Sequence, residues 1–334
     1  MLDTALVELQ PLSESFDAFL DFPKGIYGSD WSDSHNYSEC QHLHSCYVLK
    51  MEGEVKGRFA IYENTELKFK GQQAICIGSY ECVDDESVAK ILLQHAKDIC
   101  RDRGYSIAIG PMNGSTWNSY RFRMNSTIPF FLEPNQSVGY NAQFEKNEFE
   151  TIATYVSNTD EELNFDKAKL LKFQEHFELK GAKIRNFNLD RLEDEFEKMA
   201  KLCNRAFQDN FLFTPIDTKR FIEKYKALST LLNPELVWMV ENEQGELDAF
   251  LFAIEDFLDK KNKTLIIKTM AVKPKSSFVG IATFLARKTI QIADGMGYTK
   301  IIHALIHKGL KSENASDKFS QEIRNTYKLY AAQL

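Results

Sequence analysis

An apolar run opens "CYVLKMEGEVKGRFAIYEN", breaks at Glu52-Gly53 and gives way to a second apolar run, which predicts a β-hairpin turning at those two residues. The same plan returns in "LVWMVENEQGELDAFLFAIED", with its turn at Gln244-Gly245, so that Gly245 follows Gly53 by 192 positions. Elsewhere the period lengthens. In "ESVAKILLQHAKDICRDRGYSIAIGP", Val88, Ile91, Leu92 and Ile99 recur at helical spacing, Gly104 stops the helix, and a β-like run follows. "VGIATFLARKTIQIADGMGYTKIIHALI" repeats this with Ile281, Phe284, Leu285 and Ile292, a stop at Gly297 and a strand over Lys300 to Ile306. Gly297 follows Gly104 by 193 positions.

Two unrelated features sharing one offset, to within a residue, point to a duplication of the chain. The join falls in the acidic, weakly patterned "SNTDEELNFDKAK" between Ser157 and Lys169, giving domains 1–157 and 158–334, each of ordinary size. Within each half, helix, paired strands, a further strand, helix and strand follow in order. In the second half "LDRLEDEFEKMAKLCNRAF" and "TKRFIEKYKALSTLL" add amphipathic helices before the hairpin. The expected class is α+β, each domain a mostly antiparallel mixed sheet flanked by helices.

Charge narrows the partners. A formal net charge of −7 on 334 residues argues against a generic nucleic-acid surface, which needs clustered Lys and Arg, and leaves room only for a local basic pocket; no nucleic-acid partner is expected. The N-terminal stretch lacks a basic segment followed by an apolar core, and no run approaches 18 apolar residues, so no membrane partner and a cytoplasmic location are expected. The six cysteines form no C-x-x-C pair and read as free thiols. "ECQHLHSC" places Cys40, His42, His44 and Cys46 at alternate positions. At about 3.3 Å per residue the outer two would lie roughly 20 Å apart in a strand, too far to share a zinc ion, so no metal is expected.

Candidate chemistry concentrates in "SSFVGIATFLARK". A helix N-terminus carries unsatisfied N–H groups and a partial positive charge, and Gly280 and Ala282 are small enough to admit a pyrophosphate there. Val279 and Ile281 are free to turn towards the core. Lys273 and Lys275 ahead of the turn, with Arg287 and Lys288 one to two helical turns in, would favour further phosphates, or are solvated charges. The equivalent helix of the first half starts at Ser87 after Asp84, Asp85 and Glu86, whose carboxylates would repel a phosphate. A phosphate site is therefore expected in the second half only, with the first a degenerate copy.

The strand "TLIIKTMAVKP", the turn from Ser277 to Ala282, the helix from Gly280 to Asp294 and the strand "KIIHALIH" resemble the central motif of the GNAT superfamily of acyl-CoA-dependent N-acyltransferases. That motif has a turn of form Q/R-x-x-G-x-G/A; Ser277 departs from it. "GPMNGS" in the first half, the terminal "RNTYKLY", and "YNAQFEKNEFET", similar to the helix closing a GNAT fold, extend the resemblance to the tandem, two-copy branch. It implies acetyl-CoA or another acyl-CoA as co-substrate, and direct attack on the thioester by a small-molecule or peptide amine in a ternary complex. Under it, Met270, Ala271 and Val272 offer backbone groups to the pantetheine, Phe278, Val279, Gly280, Ile281 and Ala282 hold the phosphates, and Asn314 bonds the pantetheine or caps the next helix.

For the base, Glu255 and its neighbour Asp256 are candidates at a strand end, with plain solvation as the alternative. For the acid, Tyr327 or Tyr330 serves, unless both only pack in a terminal strand. "GPMNGSTWNSYRFR" supplies Asn113, Trp117, Tyr120 and Arg121 as lining for an acceptor pocket, or forms a structured loop. Two-copy GNAT folds also include N-myristoyltransferases and Fem-type aminoacyltransferases. A catalytically silent acyl-CoA-binding or interaction protein is the further alternative.

Overall fold

The computed structural model describes residues 3–31, 35–309 and 322–334. The chain divides into two units, and neither is a contiguous stretch. The first comprises Met1–Thr127, Pro134–Thr154 and Thr326–Leu334; the second comprises Ile128–Glu133 and Tyr155–Asn325.

In chain order the elements from the first half are β1 (Thr4–Leu9), α1 (Asp17–Asp21), α2 (Lys24–Tyr27), β2 (Leu43–Met51), β3 (Glu54–Tyr62), β4 (Lys68–Phe69), β5 (Gln72–Gln73), β6 (Ile75–Cys82), α3 (Glu86–Asp102), β7 (Ile107–Gly110), β8 (Phe122–Arg123), α4 (Gly139–Lys146) and β9 (Glu150–Asp160). Met51 pairs with Glu54 across the hairpin, and both intervening residues, Glu52 and Gly53, have positive φ, as a tight two-residue turn between twisted strands requires. β1, β2, β3 and β6 pair antiparallel in succession, and β6 meets β7 in parallel. Helix α3 closes this sheet with Val88, Leu92, Leu93, Ala96 and Cys100, packed in one core with Phe59, Ile61, Ile77 and Phe144.

The second half supplies α5 (Lys167–Leu179), β10 (Lys183–Asn186), α6 (Leu192–Ala206), α7 (Thr218–Lys226), β11 (Val237–Glu241), β12 (Leu247–Glu255), β13 (Thr264–Val272), α8 (Ile281–Gly295), β14 (Lys300–His307) and β15 (Glu322–Gln333). β10, β11, β12 and β13 pair antiparallel, and β13 meets β14 in parallel. Leu170 and Phe177 of α5 and Phe284, Leu285, Ile290 and Ala293 of α8 share a core with Leu251, Ala253, Leu265, Ile267 and Ile301 of the sheet.

Of the two closing strands, one spans the join between the halves and the other comes from the opposite half. From Tyr155 to Asp160, β9 pairs antiparallel with β14 in the second unit. The end of β15 pairs with β7 and β8 in the first, Tyr330 opposite Gly110 and Tyr327 opposite Arg123. Relative to the contiguous halves 1–157 and 158–334, the second unit gains residues 128–133 and 155–157, and the first gains the end of β15 from 326 to 334.

Candidate functional site

Thr264 to Ile267 of β13 pair with Lys300 to His303 of β14, and the parallel ladder between them ends there. Beyond that point β13 stays with β12, so that Met270, Ala271 and Val272 lie opposite Leu251, Phe250 and Ala249, while β14 stays with β9. Two irregularities sit where the strands part. The β12 register shifts between Phe252 and Ala253, skipping Lys268, and the β14 register shifts between His303 and Ile306. In the second, Leu305 takes φ of 61° and its N–H donates to Ser157 Oγ at 3.0 Å. Bulges bend the strands that carry them. The outcome is a stretch of β13, from Lys268 to Val272, whose edge towards β14 is not laddered to it.

That open stretch leads directly into the turn before α8. The turn is organised by Asp248, a buried carboxylate at the start of β12. Its backbone oxygen accepts Lys273 N at 2.7 Å, its Oδ1 accepts Asn242 Nδ2 at 3.1 Å and Lys273 Nζ at 3.3 Å, and its Oδ2 accepts Ser276 Oγ at 3.1 Å. Ser276 Oγ in turn accepts Phe278 N at 3.2 Å, and the Phe278 ring is buried in the α8 core. The chain then reverses at Gly280, whose φ of 90° disfavours any residue with a side chain. A Cβ added there would meet nothing within 4 Å, so backbone conformation and not crowding selects glycine.

Gly280 caps α8 without a side-chain hydrogen bond. The equivalent helix of the first unit is the opposite case. Asp85 caps α3, its carboxylate accepting Ser87 N and Val88 N, so the first-turn donors that an anion would use are already engaged. Two sequence expectations about the turn are corrected. Ile281 is buried as expected, but Val279 is 86% exposed: it precedes the first helical turn and so lies outside the helix's apolar stripe. Lys273 is engaged by Asp248 and Glu246, and Lys288 stacks over the Trp238 ring at 5.0 Å and donates to Gln174 Oε1 at 2.8 Å. Burial pushes the Lys288 ammonium below its ordinary pKa. Of the four basic residues near the turn, these two therefore have structural partners of their own.

The remaining candidates are dispersed. Glu255 lies opposite Leu265, at the end of β13 away from Val272, and accepts Tyr298 Oη–H at 2.9 Å. Asp256 is buried and accepts the backbone N–H groups of Phe131 and Leu258. Tyr327 and Tyr330 are fully buried in the first unit, and the Tyr330 hydroxyl donates to Asn141 Oδ1 at 2.8 Å. Desolvation, with Glu145 nearby, raises the Tyr330 pKa far above the ordinary tyrosine value.

The "GPMNGSTWNSYRFR" segment also belongs to the first unit and is a closed loop. Asn113 accepts Ser79 N at its Oδ1, and its own N–H and C=O bond Ser119 O and Asn118 Nδ2. Arg121, buried with φ of 81°, lies with its guanidinium 3.8 Å from the Tyr120 ring centroid; Trp117 is half-buried, its N–H on Ser115 Oγ. Asn314 lies outside the described residues. Of the zinc-like quartet, His44 and Cys46 fall in β2, whereas Cys40 and His42 precede it, with Cys40 Sγ 3.0 Å from His35 Nε2.

The structure thus brings Met270 to Val272 and Phe278 to Ala282 into one continuous path, and leaves Glu255 at its far end. Asp248 and Ser276, which build the turn, were not singled out from the sequence.

No protein-family model matches the chain. Solved structures of the same architecture match nearly all of it. A tandem GNAT protein from the clavulanic acid biosynthesis pathway aligns over 99% of this chain and 98% of its own, with a TM-score of 0.55 and 9% identity. A GCN5-related N-acetyltransferase from Sphaerobacter thermophilus aligns over 99% and 95%, with a TM-score of 0.53 and 10% identity. The chain has the tandem GNAT fold. A probable N-acyltransferase from Enterococcus faecalis V583 gives a TM-score of 0.59 at 10% identity, over 98% of this chain and 72% of its own. In sequence, the bacterial ceramide synthase of Caulobacter vibrioides (strain NA1000 / CB15N) is 23% identical over 191 residues, 56% of this chain. The chain spans about half of that relative's length, 48%.

Proposed function

We propose that this chain is an acyl-CoA-dependent N-acyltransferase of the GNAT type, with its single coenzyme A site in the second unit. The observation that carries this is the run from the unladdered stretch of β13 into an α8 N-terminus capped by Gly280 alone. Acyl-CoA, when bound, supplies the acyl group as an activated thioester. The backbone of Lys268 to Val272 offers edge hydrogen-bonding groups to an extended amide-bearing arm. The first N–H groups of α8 and the positive end of its dipole suit a pyrophosphate. Asp248 and Ser276 hold the turn in shape, and the missing side chain of Gly280 leaves its approach open.

An amine attacking the thioester carbonyl must be neutral, and the developing oxyanion must be stabilised. Backbone N–H groups on the free edge of β13 are the groups suited to the second task. The first unit's counterpart helix, with Asp85 on its N-terminal donors, supports a supporting domain without a coenzyme A site.

A second reading concerns the substrates. The match to a bacterial ceramide synthase favours long-chain partners, a ceramide being the amide of a long-chain amino alcohol with a fatty acid. Release of free coenzyme A thiol, followed with a panel of amines against acetyl-CoA and palmitoyl-CoA, tests both. Turnover with a long-chain amine alone supports the second reading, turnover with short polar amines the first. No thiol release with any pair leaves a silent binding protein.

A further inference from the structure

Two loops of the second unit are fastened to each other: residues 128–133, and residues 256–263 between β12 and β13. Buried Asp256 joins them, its Oδ1 accepting Phe131 N at 2.9 Å and Leu258 N at 3.1 Å, and the Phe131 and Phe257 rings meet edge to face at 5.1 Å. Lys268 Nζ donates to Leu132 O at 3.2 Å, and Arg324 donates to Ile128 O at 3.0 Å. The second carboxylate of the longer loop, Asp259, is partly exposed but is engaged by its own loop, accepting Lys261 N, Asn262 N and Thr264 Oγ1.

Both acids are therefore spent on backbone and hydroxyl donors. What the loops present outward is apolar and basic. Ile128 is 77% exposed, Leu258 48% and Leu132 38%, with Lys260 and Lys261 exposed beside Leu258. Scattered exposed aliphatics are ordinary on a protein surface. Here three of them stand on loops held by a buried carboxylate and a ring pair, next to two lysines without an acidic partner among the described residues.

We propose that this loop pair docks the protein on an anionic lipid surface, the aliphatic tips entering the headgroup region and Lys260 and Lys261 meeting lipid phosphates. Charge complementarity decides the occupant: an apolar tip with a positive rim suits a negatively charged bilayer, and the net charge of −7 makes this local sign distinctive. Among the described residues no helix is long and apolar enough to cross a membrane, so the attachment is peripheral. The sequence expectation of no membrane partner rested on the absence of a spanning run, a criterion that surface docking does not meet or need. This proposal stands independently of the acyltransferase reading.

Flotation of the full chain with phosphatidylcholine vesicles, with and without phosphatidylglycerol, tests it. The chain should float with the anionic vesicles, weakly or not at all with neutral ones, and less as salt is raised. Lys260→Glu with Lys261→Glu should weaken binding about tenfold or more, and Ile128→Asp with Leu258→Asp should abolish it. Circular-dichroism melts that match the parent chain exclude unfolding of the variants. No flotation, or equal flotation with neutral vesicles, overturns the proposal. So does light scattering in which the aspartate pair converts a dimer to a monomer, which would make this face a contact between copies.

Discussion

Ser276 Oγ donates to Asp248 Oδ2 at 3.1 Å, tying the turn before α8 to the first residues of β12. The bond matters because Asp248 also receives Asn242 and Lys273, so one buried carboxylate gathers three side-chain donors, two of them from the turn itself. Asp248→Ala leaves those donors without their acceptor and should cost about 2–3 kcal/mol of stability. Its further effect is on the turn itself: coenzyme A affinity should fall about tenfold even where the protein remains folded. Chemical denaturation and calorimetric titration at a temperature well below the melt separate the two effects. Unchanged affinity in a folded Asp248→Ala would detach the turn from the site.

His303 pairs with Ile267 where β13 and β14 part, and burial holds its imidazole at about 4 instead of 6.5. The unfolded chain therefore binds a proton that the folded chain refuses between these values. Stability from this group is complete above about pH 6.5 and is lost as pH falls towards 4, by up to about 3 kcal/mol. Denaturation midpoints measured across that window should slope upwards with pH, and His303→Gln should flatten the slope. Glu241, held down to about 2 chiefly by its hydrogen bond to Arg185, loses its contribution only at lower pH, so the two are distinguishable.

Tyr330 is a structural residue on this account. Tyr330→Phe removes the hydroxyl shared between Asn141 and Glu145 and should cost about 1–2 kcal/mol, with acyl transfer at saturating substrates unchanged. Loss of turnover in a Tyr330→Phe protein with parental folding would return the tyrosine to the chemistry. Deleting 326–334 is harsher. It strips β7 of its antiparallel neighbour, leaving only β6 beside it, and removes Tyr327, Leu329 and Tyr330 from the core, so the first unit should unfold.

The elements that sequence periodicity defines are local, and they are where it places them: the Glu52-Gly53 hairpin, α3, α8 and the strands that follow these helices. The placement of β15 is another matter. Its pattern is local, and nothing in the strand itself states that it joins β7 of the first unit. Asp248 reads as an ordinary polar residue at the start of an apolar run; its importance comes from Ser276, 28 residues later. Glu255 stands away from the open stretch for a reason legible in principle. β12 runs antiparallel to β13, so the C-terminal end of one lies beside the N-terminal end of the other, away from the open stretch. The first-half control was fully legible, since the Asp85 cap is visible in "DDES" as it stands.

On the proposed function coenzyme A binds once, at the turn into α8. Isothermal titration of the full chain with acetyl-CoA and with palmitoyl-CoA addresses it directly, alongside Gly280→Glu and Ser87→Glu. One site per chain is expected, with micromolar affinity for at least one thioester, abolished by Gly280→Glu and untouched by Ser87→Glu. Binding that survives Gly280→Glu in a folded protein, or no binding of either thioester, would contradict it.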